Sequence, residues 1–197
     1  MSGLSPAMQR ICDAAITHFA EFGYEGGSMN AIAVSVGIRK ASLYSHVVGK
    51  DELFLTSLDL ALQAETAFAQ GCFESRAPQE GAGFAYIAHI ADRYTASPSL
   101  RFILRAAYLL PKSIGREIGV KYEGFLDLLR ASYLQQVEAL REELTASDRA
   151  YLQEAYVGIV ESLFVELTYG TTAKMVSRRD ALWRMFSEAA KKEPGPQ

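Results

Sequence analysis

Residues 28–53, SMNAIAVSVGIRKASLYSHVVGKDEL, constrain this chain more than any other stretch. Ser28 is a good helix N-cap, and Met29, Ile32, Ala33 and Val36 follow at i, i+3, i+4 and i+7, the spacing of one apolar stripe on a short helix. Gly37 ends that helix, since glycine tolerates the positive φ of a tight interhelical turn, and Ile38 supplies an apolar side chain to pin the turn to a core. A second helix is expected next. Leu43 and Val47, four residues apart, give it a buried face and leave Arg39, Lys40, Ser42, Tyr44, Ser45 and His46 on the rest. A helix, a glycine turn, a short helix and a basic start to a third form the layout of a DNA-reading helix-turn-helix.

Charge agrees with that layout. Residues 28–50 contain Arg39, Lys40 and Lys50 and no acid, whereas the whole chain carries 20 basic against 23 acidic residues, so the local charge opposes the global one. An acidic balance weakens nonspecific attraction to DNA, but a localised basic face is sufficient for specific contact.

GIRKASLYSHVVGKDEL resembles the signature of the TetR family of bacterial repressors, in which a glycine turn precedes a short helix with Leu-Tyr-x-His, then Lys and an acidic-Leu pair. The resemblance covers roughly the first 55 residues, with Phe19, Phe22, Gly23 and Tyr24 standing where the family has Phe and Gly-Tyr or Gly-Phe. Two positions depart from it: Arg39 where a capping Ser or Thr is common, and Val47 where Phe is common. The resemblance implies that Lys40, Ser42 and Ser45, with Asn30 from the preceding helix, reach base edges. It implies that Tyr44, His46 and Lys50 hold phosphates, that Ala41 is small to allow close approach, and that Ser28 belongs to the same DNA-binding set. Arg39, a cation at a helix N-terminus, opposes the macrodipole and gains if a phosphate or a guanine lies opposite.

The remaining chain reads as helices punctuated by caps and breakers, with no alternating run long enough for a sheet, so the expected fold class is all-α. Ser5 and Pro6 open a first helix whose Ile11, Ala15, Phe19 and Phe22 run along one side until Gly23. A long helix starts at Lys50 and runs to about Cys72 with Leu55, Leu58 and Leu62 at helical spacing; Glu74 to Gly83 is a loop by composition. Helices are expected over 84–96, from Ser97-Pro98 to Pro111, and from Ile114 to Glu143. Gly115, Gly119 and Gly124 weaken the start of the last of these, either as a hinge or to permit close helix packing.

Thr145 and Asp148 make a capping box for a helix to about Tyr169, and a final helix from Ser177 places Leu182, Met185, Phe186 and Ala189 on one stripe with Trp183 beside them. The penultimate helix is apolar nearly all round, so it is covered on more than one side. The resemblance implies that these two helices pair with their copies in a homodimer, with Tyr156, Val160, Phe164, Leu182, Trp183 and Phe186 as interface candidates. The other reading is that both helices complete a monomeric core.

The expected division is a helix-turn-helix DNA-binding domain over 1–50 and a helical ligand-binding and dimerisation domain over 51–197. Aromatic and polar residues in the second part, with the resemblance, point to a small-molecule pocket, for which His89, Phe102, Arg105, Tyr122, Phe125, Tyr156 and Glu161 are candidates. No metal is expected, because His18, His46 and His89 lie on different helices without acid or cysteine at ligand spacing. No cofactor and no enzymatic activity are expected, since neither a catalytic triad pattern nor a phosphate loop is present. Cys12 and Cys72 read as reduced thiols, and no apolar run has membrane-spanning length or the form of a secretion signal, which fits the cytoplasm.

The expected partners are a palindromic double-stranded operator, a small-molecule effector and a second copy of the chain. The expected function is a ligand-released repressor; the alternative is a helical interaction or ligand-binding protein with no specific operator.

Overall fold

The structure is a computed structural model that describes residues 4–75, 79–141 and 143–191. The described residues form nine α-helices and no strand: α1 (Pro6–Gly26), α2 (Met29–Ser35), α3 (Lys40–Leu43), α4 (Lys50–Glu74), α5 (Phe84–Ala96), α6 (Pro98–Tyr108), α7 (Gly115–Glu138), α8 (Ala146–Tyr169) and α9 (Thr172–Lys191). The chain is all-α, as its periodicity implies. By packing it divides into two units, one holding the chain up to Glu65 with Ser97–Gly124, the other Thr66–Ala96 with the chain from Phe125 onward.

In the first unit α1 is the central element. Ser5 accepts the Met8 amide through its hydroxyl at 3.3 Å and Pro6 occupies the first turn, where a missing N–H is harmless. Ile11, Cys12, Ala15, Ile16 and Phe19 form the buried stripe of α1, and Ile32, Leu43, Leu53, Phe54, Phe102 and Ile103 close over it. Phe19, Phe54 and Phe102 meet with ring centroids 4.8 to 5.8 Å apart, the edge-on and offset contacts that aromatic quadrupoles favour.

Gly23, at φ 69°, breaks the helical path of α1 before its last turn. Phe22, expected on the buried stripe, is instead 46% exposed: the break turns it away from the core, and its ring lies against His18 at 4.7 Å. On α4 the buried line runs through Leu53, Phe54, Leu58 and Ala61, while Leu55 and Leu62 are half-buried. Ser97 stands at the N-cap of α6 but makes no cap bond; its hydroxyl donates to the buried carboxylate of Glu65 at 3.1 Å.

The second unit is held by α5, α8, α9 and the ends of α4 and α7. Tyr133 and Tyr156 stack with centroids 4.2 Å apart and rings within 3° of parallel. The Tyr156 hydroxyl donates to the Gly83 carbonyl at 3.0 Å, and Gln136 ties the same segment by accepting the Gly83 amide at 2.7 Å and donating to Phe73 at 2.9 Å. The loop expected over 74–83 is therefore anchored at both described ends; Arg76, Ala77 and Pro78 lie outside the described residues.

Two helix limits differ from expectation by five residues, and α6 stops at Tyr108, short of Pro111. α7 ends at Glu138 rather than Glu143, with the Leu140 amide reaching back only three residues to Val137. The capping box holds Thr145 extended, at φ −71° and ψ 164°, so the chain leaves helical geometry before it. α9 starts at Thr172, five residues before Ser177, because Thr171 accepts the Lys174 amide at 3.2 Å as a cap. Its buried residues are Met175, Trp183 and Phe186, while Met185 and Ala189 face outward. Nothing comes within 4 Å of a Cβ added at Gly119 or Gly124, so neither marks a close helix contact.

Candidate nucleic-acid interface

The helix-turn-helix is built by hydrogen bonds that the residue types dictate. Ser28 accepts the Ala31 amide at 3.3 Å, which starts α2. Its own amide donates to His18 Nε2 at 3.0 Å, so that nitrogen carries no proton. Burial, with the Lys50 cation in the same direction and Glu21 opposing, holds the His18 pKa below the usual imidazole value.

At the far end of α2 the Ile38 amide bonds to the Ala33 carbonyl and the Gly37 amide to the Val34 carbonyl, both at 3.0 Å. This is a Schellman closure. It needs a left-handed residue at its centre, which Gly37 supplies at φ 75°. Arg10 adds a bond from its guanidinium to the Val36 carbonyl at 3.3 Å, a tie across 26 residues that no local signal reveals.

Arg39 is the N-cap of α3, with φ −76° and ψ 150°, and its side chain makes no cap bond. α3 is one turn long, and the chain continues as turns to His46, so Val47 lies beyond the helix although it is 3% exposed. Leu43, fully buried, and Val47 are the two anchors. Between and around them Arg39, Lys40, Ala41, Ser42, Tyr44, Ser45 and His46 are all exposed, as are Ser28 and Asn30 on α2. The segment from Arg39 to His46 thus exposes donors and cations and contains no carboxylate of its own. Val34 and Val48, 67% and 91% exposed, flank it; neither was distinguished by the apolar stripe.

Lys50 is placed differently from the others. Its ammonium sits 4.6 Å from the centre of the Tyr24 ring and 3.4 Å from the Glu25 carbonyl oxygen. Tyr24 donates its hydroxyl to the Asp51 carboxylate and accepts from Ser113 at 3.4 Å. The bond to Asp51 is the main reason the Tyr24 phenol titrates above its ordinary value.

The pocket candidates are divided between the two units. Phe102, Arg105 and Tyr122 belong to the first unit, where Phe102 and Arg105 line a cavity of about 130 Å³ and the Tyr122 hydroxyl lies 3.5 Å from that of Tyr108. His89, Phe125, Tyr156 and Glu161 belong to the second. His89 is exposed with Nδ1 against the Ala85 carbonyl of its own helix, Phe125 and Tyr156 are core, and Glu161 is half-buried. Two cavities in that unit are lined by other residues: one of about 400 Å³ beside Phe73 and Gln135, and one of about 140 Å³ beside Tyr133, Leu152, Trp183 and Phe186.

The interface candidates are mostly used within the chain. Tyr156, Val160 and Phe164 are fully buried, Trp183 and Phe186 nearly so, and Leu182 is half-buried. Val165 and Tyr169 on α8 and Met185 on α9 are the large apolar side chains left exposed there beyond Tyr151. Among the described residues no three His, Cys, Asp or Glu side chains gather to hold a metal ion, and no helix is long and apolar enough to cross a membrane.

Residues 11–56 match the family model of bacterial regulatory proteins, tetR family. A 50-residue segment is 46% identical to the biofilm operon icaADBC HTH-type negative transcriptional regulator IcaR of Staphylococcus epidermidis, covering 25% of this chain and 27% of that repressor. Over nearly the whole chain the fold is similar to a TetR transcriptional regulator from Chloroflexus aurantiacus J-10-FL, with TM-score 0.72, 16% identity and 94% of each chain covered. It is also similar to AibR, solved with isovaleryl coenzyme A and operator DNA, with TM-score 0.59, 18% identity and 90% and 96% of the two chains covered.

Proposed function

We propose that the chain is a ligand-responsive DNA-binding transcriptional regulator of the TetR family, a reading supported by the match of residues 11–56 to that family's model. On this reading it acts in the cytoplasm as a homodimeric repressor. The observation that carries the reading is the exposed, acid-free segment from Arg39 to His46, fixed to the core by Leu43 and Val47.

The division proposed is DNA reading by residues 1–50 and ligand binding with dimerisation by residues 51–197. Lys40, Ser42 and Ser45, with Asn30, read base edges, and Ala41 lets the backbone approach the groove. Tyr44, His46, Lys50 and Arg39 face phosphates. The hydroxyl of Ser28 is engaged in capping, so its part is to set the position of α2.

One turn of helix makes few base contacts. Two copies related by a two-fold axis read both halves of a palindrome with half-sites about one helical turn, or a multiple of it, apart. We place the pairing surface on α8 and α9 at Leu182, Val165, Tyr169 and Met185, which the chain leaves half-buried or exposed. AibR, in a similar fold, binds an acyl coenzyme A together with operator DNA, which supports an effector for this chain. An effector releases DNA only through differential affinity: a tenfold loss of operator affinity needs about 1.4 kcal/mol of coupling. α4, continuous from Lys50 to Glu74, is the covalent path for it.

Selection of bound duplexes from a random pool, followed by affinity for the winner at several salt concentrations, tests this reading. A palindromic winner with a steep salt slope is expected. No enrichment by folded, dimeric protein overturns it in favour of a helical interaction protein.

A further inference from the structure

The cavity of about 130 Å³ in the first unit combines an apolar wall with one cation. Phe19, Phe54 and Phe102 form one side, and Leu109 and Leu110 another. Arg105, near the end of α6, lines the same space, and its Nε is buried without a hydrogen-bond partner. Among the described residues the Arg105 side chain makes no hydrogen bond or ion pair, while its backbone carbonyl accepts the Leu109 amide. Arg105 as a whole is half-buried, but its Nε–H is sealed from solvent beside the aromatic and aliphatic wall, and a matching anion supplies the acceptor that this donor lacks.

The backbone is shaped around this side chain. Gly23 lies at φ 69°, where side chains are strained, and a Cβ there would stand 2.8 Å from Arg105 Nε. The break in α1 thus leaves room for the guanidinium.

We infer that this cavity is a binding site for a short-chain monocarboxylate, with the carboxylate on Arg105 and the alkyl chain against the phenylalanine and leucine wall. A planar two-oxygen anion matches the guanidinium fork, and the apolar wall suits a short chain. The volume is about four times a water molecule's share of the liquid, enough for a chain of about four carbons. A dianion such as sulfate is disfavoured, because one guanidinium offers it too few donors and the exposed carboxylate of Glu25 also lines the cavity. The site does not depend on operator binding.

The test uses the full chain labelled with nitrogen-15, sodium butyrate as the probe, and sodium sulfate at equal ionic strength as the control. The Arg105 Nε–H signal, assigned by its loss in Arg105→Gln, and the Gly23 amide are followed by nuclear magnetic resonance. Butyrate is expected to move both along a saturating curve, with at least tenfold weaker response of Gly23 in Arg105→Gln and an intermediate one in Arg105→Lys. A linear drift equal to that with sulfate in the wild-type protein, or a Gly23 response unchanged in a folded Arg105→Gln variant, overturns the site. The wild-type titration decides the matter if the variants do not fold.

Discussion

The ammonium of Lys50 rests 4.6 Å from the centre of the Tyr24 ring, so the last turn of α1 carries the first side chain of α4. The same ring, through its hydroxyl, holds Asp51. Tyr24→Phe keeps the ring and removes the bond to a charged acceptor. For this half-buried pair the expected loss is about 1 kcal/mol or less in urea unfolding. Tyr24→Leu also removes the cation–π contact, and is expected to lower operator affinity more than Tyr24→Phe does. Equal operator affinity for the two variants, measured by fluorescence anisotropy, would show that the ring does not position Lys50.

Arg39 is exposed and makes no cap bond, so its side chain has no structural work in the described domain. Arg39→Ala is expected to leave the thermal midpoint unchanged or slightly raised, since a cation at a helix start opposes the dipole. Operator affinity should fall about tenfold, and the salt slope should become shallower by about one phosphate contact. An unchanged affinity takes Arg39 out of the interface.

The helix-turn-helix was legible because its signals are local. Ser28, Gly37 and the pair Leu43 and Val47 each act within five residues of themselves, through a cap, a positive φ and a buried anchor. The same holds for the Thr145–Asp148 capping box and for α5, found over the span expected. What was not legible depends on residues far apart in the chain. Arg10 reaches Val36, Gln136 reaches Phe73, and Ser97 leaves its cap position for Glu65, and none of these has a spacing signature. The pocket candidates show the same limit, because aromatic frequency along a helix does not say which unit an aromatic packs in. On α9 the single stripe expected through Leu182, Met185, Phe186 and Ala189 splits: Phe186 is buried with Trp183 and Met175, while Met185 and Ala189 are exposed, a difference that spacing alone does not show.

His18 links this domain to pH. Its Nε2 must be unprotonated to accept the Ser28 amide, and its folded pKa lies below the ordinary value of about 6.5. As pH falls through that ordinary value the unfolded chain takes up the proton first, so the unfolded state binds more protons and stability falls. The contribution is complete above about pH 6.5 and is lost as pH drops through the lower, folded value. His18→Gln, whose amide oxygen can accept the same bond, should flatten the dependence of unfolding free energy on pH below about 6.5. Superimposable profiles for variant and wild type would exclude His18 as the linked group.

Gly83 is a position in the second unit where both backbone and packing require glycine. At φ 80° it holds a conformation that L side chains rarely adopt, and a Cβ there would stand 2.4 Å from the Tyr156 ring and 2.8 Å from that of Tyr133. Those rings are stacked and buried, and the burial raises the pKa of both phenols above the ordinary tyrosine value. Gly83→Ala therefore combines backbone strain with overpacking, and is expected to cost about 2–4 kcal/mol. Tyr156→Phe removes only the hydroxyl bond to the Gly83 carbonyl and should cost about 1–2 kcal/mol. Urea unfolding with an unchanged m-value, together with near-ultraviolet circular dichroism of the tyrosine stack, distinguishes the two. A Gly83→Ala variant within about 0.5 kcal/mol of wild type, the range of an ordinary surface substitution, would mean that the segment before α5 can move off the stack without loss.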